Sequence, residues 1–198
     1  MLRAAIAFSV IAALVPTPAQ ACLNGTIMEG DEAVKALAQA ESLIDAGAYG
    51  KAYEILGSRD GTHWLVDDRL HARVNDARMV VALRTSPRRV AKGAIEYFSA
   101  RSKAQPKNLR YRAWLAEAYA TLNKREQALA ILHDLHERDL MPDGFGYVTL
   151  AKISPNAEVD RWLEVCRQRS KNKSICEIRT AKGKPVKQTR TYNMKLPG

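Results

Sequence analysis

The sequence predicts an all-α fold, an antiparallel stack of helix pairs followed by a basic C-terminal tail. Apolar residues recur at spacings of three, four and seven along most of the chain, which indicates amphipathic helices. The segments that open at Ala94 and Ala128 have the same layout one 34-residue period apart, and a period of this length is typical of stacked helix pairs. The charge is also uneven, because ten Lys or Arg and one acid follow from Arg167 onward.

Residues 1–21 have the pattern of a signal peptide. Arg3 supplies a positive charge, residues 4–15 are apolar, and Ala19-Gln20-Ala21 matches an A-x-A cleavage site. Cleavage after Ala21 would leave Cys22 first, but the residues before Cys22 fit lipoprotein processing poorly, so we do not expect a lipid anchor. We expect an exported protein, periplasmic or secreted, with residues 22–30 as a short linker.

Two helix pairs are predicted in the first half of the domain. The first helix begins near Asp31, and Gly47-Ala48-Tyr49 separates it from a second helix that is built on Ala52 and Leu56. The next helix runs to about Leu83, and Pro87 ends it or opens its partner, which spans residues 90–103.

A third pair follows, with Asn123 at its turn, where asparagine can adopt the left-handed conformation that glycine usually supplies. A shorter last pair covers residues 147–153 and 157–167. Ser154-Pro155-Asn156 supplies the stop and the cap between them.

The spacing of these residues resembles the tetratricopeptide repeat (TPR). The matching positions are Gly47, Tyr49, Ala52 and Leu56 in the first pair and Leu115, Ala116, Tyr119, Asn123, Ala128, Leu132 and Leu135 in the third. The resemblance covers residues 31–142 and extends to a helical domain of residues 31–166. It implies an α-solenoid without enzymatic activity, a scaffold or adaptor that binds a peptide or protein in a concave groove. The groove would be lined mainly by the first helix of each pair, with Asn75, Arg78, Arg112 and Asn123 as candidate contacts.

The three cysteines fit an exported chain. Cys166 and Cys176 are close enough in sequence to close a small loop, and a structural disulfide is favoured over a redox pair because the spacing is not C-x-x-C. Cys22 is left over.

The basic residues are concentrated in residues 167–198. Residues 22–166 contain 20 basic and 20 acidic residues, whereas the tail has a net charge of +9. An alternative function is therefore adhesion of the tail to an anionic surface of the cell envelope. The candidate residues are Arg167, Arg169, Lys171, Lys173, Lys182, Lys184, Lys187 and Arg190. A disordered, solubilising tail explains the same composition, and we expect no nucleic-acid partner for an exported chain.

Catalytic motifs are missing from the sequence, which has no phosphate-binding loop, no G-x-S-x-G and no H-E-x-x-H. His133 and His136 share a helix face and raise the hypothesis of a metal enzyme, but no third ligand is evident and a solvated face is favoured. We therefore expect neither a metal nor a cofactor. Trp64, Trp114 and Trp162 fit helix packing better than binding.

A further basic cluster surrounds Pro87. Its members, Arg84, Arg88, Arg89 and Lys92, would form either an anion-binding patch near a helix start or a solvated loop between two helices.

Overall fold

The computed structural model describes residues 18–57 and 67–177, with side chains from residue 30 onward. Within these residues the chain forms eight α-helices and a short 3-10 helix, with no strand, which confirms the all-α prediction. The helices are α1 Pro18–Asp45, α2 Tyr49–Gly57, α3 Asp68–Thr85, α4 Pro87–Ala104, α5 Leu109–Thr121, α6 Arg125–Glu137, α7 Gly144–Ile153 and α8 Asn156–Arg169, followed by the 3-10 helix Lys173–Cys176. None of them is long and apolar enough to cross a membrane.

The first helix begins earlier than the sequence suggested. It starts at Pro18, whereas the predicted cap lies near Asp31. Proline is favoured in the first turn of a helix, and no proline follows it before α1 ends. Gly25 and Gly30 are tolerated inside the helix at a modest cost.

Two of the turns between paired helices contain a left-handed residue, as expected for Asn123. Gly47 has φ +76° between α1 and α2, and Asn123 has φ +58° between α5 and α6. At Ser154-Pro155-Asn156 the predicted break is also present, because α7 ends at Ile153 and α8 begins at Asn156.

Some helices have a side-chain cap at their N-terminus and others do not. Asp67, Asn108 and Asp143 each accept a hydrogen bond from the backbone N–H two residues ahead, and so cap α3, α5 and α7. The starts of α4 and α6 receive no such bond from Ser86 or Lys124. Their first N–H groups are therefore left without a side-chain acceptor.

The apolar faces of the helices form two adjoining cores. The first core joins α1 to α5 and contains Leu37, Phe98 and Tyr111. The second joins α5 to α8 and contains Leu132 and Trp162. Helix α5 contributes to both cores and packs against α4, α6 and α7, so it holds the two halves of the chain together.

The beginning and the end of the helical domain meet. Tyr49 at the start of α2 packs against Phe145 in α7, with ring centroids 6.3 Å apart. The side-chain amide of Asn172 donates a hydrogen bond to the carbonyl oxygen of Asp45 at 3.3 Å. The turn between α1 and α2 therefore lies beside α7 and the segment that follows α8.

The predicted disulfide between Cys166 and Cys176 is present and ties the 3-10 helix to α8. The 3-10 helix also packs on the start of α7. Gly144 makes this close approach possible, because a Cβ there would lie 2.7 Å from both Ile175 Cδ1 and Ser170 Oγ. The disulfide and the glycine together place Ile175 against α7.

Candidate functional site

A groove of about 700 Å³ opens where the two ends of the domain meet, and we call it the central groove. It is bounded by the turn between α1 and α2, the ends of α3 and α5, the starts of α4 and α6, helix α7 and the 3-10 helix. Its lining includes Tyr49, Leu83, Arg84, Arg88, Glu117, Asn123, Arg125, Phe145, Val148, Lys152, Ile153, Ile175 and Glu177.

The floor of the central groove is an ion pair under aromatic cover. The Arg84 guanidinium donates to both carboxylate oxygens of Glu117 at 3.1–3.3 Å, and its side chain is only 4% exposed. The same guanidinium stacks on Phe145, 3.6 Å from the ring centroid, and lies 5.6 Å from the Tyr49 ring. Residues of four helices, α2, α3, α5 and α7, therefore surround one buried cation.

Burial sets the protonation of the groups near this pair. Burial lowers the pKa of Arg84, but the attraction of Glu117 outweighs it, and the net pKa is raised, so the guanidinium stays charged. Burial raises the pKa of Tyr49 to about 12. Burial also raises the pKa of Asp143, although Arg84 opposes the shift.

Three further cations line the central groove without an ion-pair partner among the described residues. Arg88 lies at the start of α4, Arg125 at the start of α6 and Lys152 near the end of α7. The Nε of Arg125 is buried and has no hydrogen-bond acceptor in the part of the chain that the structure describes. Helices α4 and α6, which begin here, have no side-chain cap. The charged residues of the lining are four cations, Arg84, Arg88, Arg125 and Lys152, and two acids, Glu117 and Glu177, so the groove carries a net positive charge.

A second groove, of about 630 Å³, lies between α1, α3 and the start of α5, and it has a different electrostatic character. There Arg73 pairs with Glu41 at 2.7 Å, and Arg101 pairs with Asp76 at 2.8 Å. Asp76 also accepts hydrogen bonds from the hydroxyl groups of Tyr97 at 2.7 Å and Tyr111 at 2.6 Å. These polar groups satisfy one another, so they contribute to packing of the helices more than to ligand binding.

The four residues predicted for a binding groove do not come together. Asn123 lines the central groove. Arg78 donates to the carbonyl oxygen of Leu56 at 2.7 Å, Arg112 pairs with Asp134 at 2.7 Å, and neither lines a groove. Asn75 is half-buried and also lines neither groove.

The basic residues of the tail fall into three groups. Arg167 pairs with Glu164 at 3.1 Å, and Arg169 pairs with Asp139. Lys171 and Lys173 are exposed and form no ion pair with any described residue. The remaining candidates, Lys182, Lys184, Lys187 and Arg190, lie outside the described residues, as do most of the predicted signal peptide, the side chain of Cys22 and Trp64.

The predicted basic cluster around Pro87 separates into residues of different environments. Arg84 is buried in its pair with Glu117, so the expectation of an exposed patch fails at this position. Arg88 lines the central groove, whereas Arg89 and Lys92 are exposed and do not line it.

The two histidines on α6 pack against an aromatic side chain. The His133 and His136 rings lie 5.6 Å and 5.0 Å from the Trp162 ring, centroid to centroid. Burial lowers the pKa of His136, and the nearby Arg169 contributes. Within residues 18–57 and 67–177 no group of three His, Cys, Asp or Glu side chains is arranged to hold a metal ion. Trp114 packs on Phe98, as expected for a helix-packing residue.

Sequence reasoning did not single out Glu117, Phe145 or Lys152. One signal was present, because opposite charges recur about one repeat apart: Arg84 and Glu117 are 33 residues apart and Arg73 and Glu41 are 32 apart. Residues one period apart occupy equivalent positions in neighbouring helix pairs. Phe145 and Lys152 had no such signal.

Comparisons with protein-family models, with curated proteins and with solved structures found no significant match to this chain. The resemblance to tetratricopeptide repeats stays a prediction.

Proposed function

We propose that this protein is a non-enzymatic scaffold or adaptor of the cell envelope that binds a peptide or protein partner in its central groove. The observation that supports the proposal most strongly is the combination of unpaired cations, Arg88, Arg125 and Lys152, with an apolar wall in one groove. Binding sites typically combine an apolar surface with a few polar groups that orient the ligand. The concave surface expected of a TPR-like solenoid would serve the same purpose.

The groove is suited to binding because its floor is already ordered. Arg84 is held by Glu117 and by the face of Phe145, so a partner would not have to immobilise these side chains. Preorganisation of this kind lowers the entropic cost of association. The expected partner would contact side chains from four helices that are fixed relative to one another.

The charges favour the groove over the tail as the primary site. Two of the four described tail cations, Arg167 and Arg169, are already paired with acids of the helical domain. The groove cations have no such partners among the described residues. Attachment of the tail to an anionic surface is the alternative function, and the experiment below separates the two.

The test is affinity capture from a native envelope extract with three full-length proteins. The groove variant carries Arg88→Glu and Arg125→Glu, which place acids in the first turn of a helix, where they are favourable. The matched control carries Lys103→Glu and Lys107→Glu, which make the same change in net charge at exposed positions outside both grooves.

The proposal predicts a protein that the wild type and the control retain at physiological salt and that the groove variant loses. Equal retention by all three proteins, with release at high salt, would place the binding element outside the central groove, as the tail alternative requires.

A further inference from the structure

We infer that the occupant of the central groove is an acidic segment of a partner protein in which carboxylates alternate with apolar side chains. The inference rests on the proposed function and specifies the chemistry of the partner. It follows from the unbalanced charge of the groove, the helix termini that open onto it and the apolar residues between its cations.

Charge complementarity is the first argument. The ion pair of Arg84 and Glu117 is internally neutral, and the remaining charges of the lining are three cations, Arg88, Arg125 and Lys152, against one acid, Glu177, which leaves an excess of positive charge. The Nε of Arg125 has no hydrogen-bond partner among the described residues, and the guanidinium forms no ion pair with a described acid, so a carboxylate of the partner would be its counter-charge.

The helix termini supply the second argument. Helices α4 and α6 both begin at the groove, and neither has a side-chain cap. Each start is the positive end of a helix dipole and favours a carboxylate nearby, although in α4 Pro87 has no N–H and the Arg89 N–H donates to the Ser86 carbonyl oxygen at 3.1 Å. Arg88 and Arg125 lie in these first turns, so side-chain charge and backbone dipole act on the same side of the groove.

The apolar residues distinguish an acidic peptide from a simple anion. Val148 and Lys152 lie one turn apart on the same face of α7, and Ile175 lines the groove beside them. A small phosphate would leave this apolar surface uncovered. A peptide with an apolar residue next to a carboxylate would cover Val148 and neutralise Lys152 together.

The chain's own tail does not fit this description. Beyond Glu177 the remaining residues contain six Lys or Arg and no acid. Like charges in the groove and in this segment repel each other, so the tail is a poor occupant. An acidic segment of the partner would be attracted both to the central groove and to the basic residues after Glu177.

The experiment measures fluorescence polarisation of short fluorescein-labelled peptides with full-length protein. One peptide alternates Glu with Leu, a second has Gln in place of every Glu, and a third has only Glu. Inorganic phosphate is the competitor that tests for a simple anion site. The proteins are the wild type, the groove variant with Arg88→Glu and Arg125→Glu, and the control with Lys103→Glu and Lys107→Glu. Lys103 lies on the same helix as Arg88, roughly 22 Å away.

We expect the Glu-Leu peptide to bind the wild type and the control equally, and the groove variant about tenfold more weakly. The Gln peptide and the all-Glu peptide should bind the wild type more weakly than the Glu-Leu peptide does.

The inference is overturned by equal affinity for the Glu and Gln peptides, by equal weakening in the groove and control variants, or by competition from phosphate that displaces the peptide fully. Self-association of the wild type that the groove variant loses, without peptide binding, would identify a second copy as the occupant. If the groove variant fails to capture the native partner although the Glu and Gln peptides bind alike, the proposed function stands and only the acidic specificity is wrong.

Discussion

The buried ion pair of Arg84 and Glu117 should couple the stability of α3 to that of α5. The perturbation is a double-mutant cycle with Arg84→Met, Glu117→Met and the double variant. Arg84 is 4% exposed and Glu117 is 19% exposed, so the two charges do not lose equal amounts of hydration in the fold.

The loss in free energy of unfolding depends on which of the two charges remains without its partner in each variant. Glu117→Met leaves a buried guanidinium without its carboxylate and should lower the free energy of unfolding by about 3 kcal/mol. Arg84→Met loses the contact with Phe145 and leaves a carboxylate that is partly hydrated, so we expect about 2 kcal/mol. The double variant has no unpaired charge and should lose only about 2 kcal/mol, which gives a coupling energy of about 3 kcal/mol.

The assay is urea unfolding followed by far-UV circular dichroism. An unchanged slope against urea concentration would show that each variant exposes the same surface on unfolding. Additive losses, with the double variant equal to the sum of the singles within about 0.5 kcal/mol, would refute the reasoning.

Three further changes test other parts of the structure by the same assay. Burial raises the pKa of Asp143 above its usual 3.8, so the folded chain binds this proton more readily and the stability from this group falls as pH rises through the raised value. Asp143→Asn keeps the helix cap and removes the charge, so the variant should be more stable than the wild type at pH 7 and equal to it in acid; a deficit at pH 7 would contradict this. Gly144→Ala should lower the free energy of unfolding by about 1–3 kcal/mol, because the new Cβ would overlap neighbouring side chains. Gly93→Ala, where a Cβ meets open space, should raise it by about 0.5–1 kcal/mol. Equal effects of the two changes would be inconsistent with the packing. Reduction of the disulfide between Cys166 and Cys176 should lower the free energy of unfolding of the wild type by roughly 3 kcal/mol. The same reductant should have no effect on a variant in which both cysteines are changed to Ser.

Much of the helical framework could be predicted from local signals. Ala128, Leu132 and Leu135 are fully buried, as their spacing indicated. Asn123 adopts the left-handed conformation in the turn after α5. Pro87 is the first residue of α4, where its fixed φ is compatible with a helix. These features depend on residues within one or two turns of each other, which periodicity records.

The predicted start of α1 at Asp31 was wrong, because the helix continues through Asp31 and no residue before it ends the helix. A capping residue inside a long apolar-periodic segment does not by itself break it. A proline would have been needed to end the helix there.

The central groove was not predicted because it depends on contacts between distant segments. Tyr49 meets Phe145 across nearly the whole domain, and the direction of each helix pair relative to the next decides that contact. Apolar spacing fixes which face of a helix is buried, but not the crossing angle between helices. Arg84 was assigned to an exposed patch for the same reason.

The most direct test of the central claim is an NMR titration of the full-length protein with the Glu-Leu peptide. The measured quantity is the chemical shift of each Arg Nε–H signal. The account predicts that the signals of Arg88 and Arg125 shift with the peptide concentration, while that of Arg73, already paired with Glu41 in the second groove, does not move. Shifts at Arg73 without shifts at Arg125 would contradict the assignment of the central groove as the binding surface.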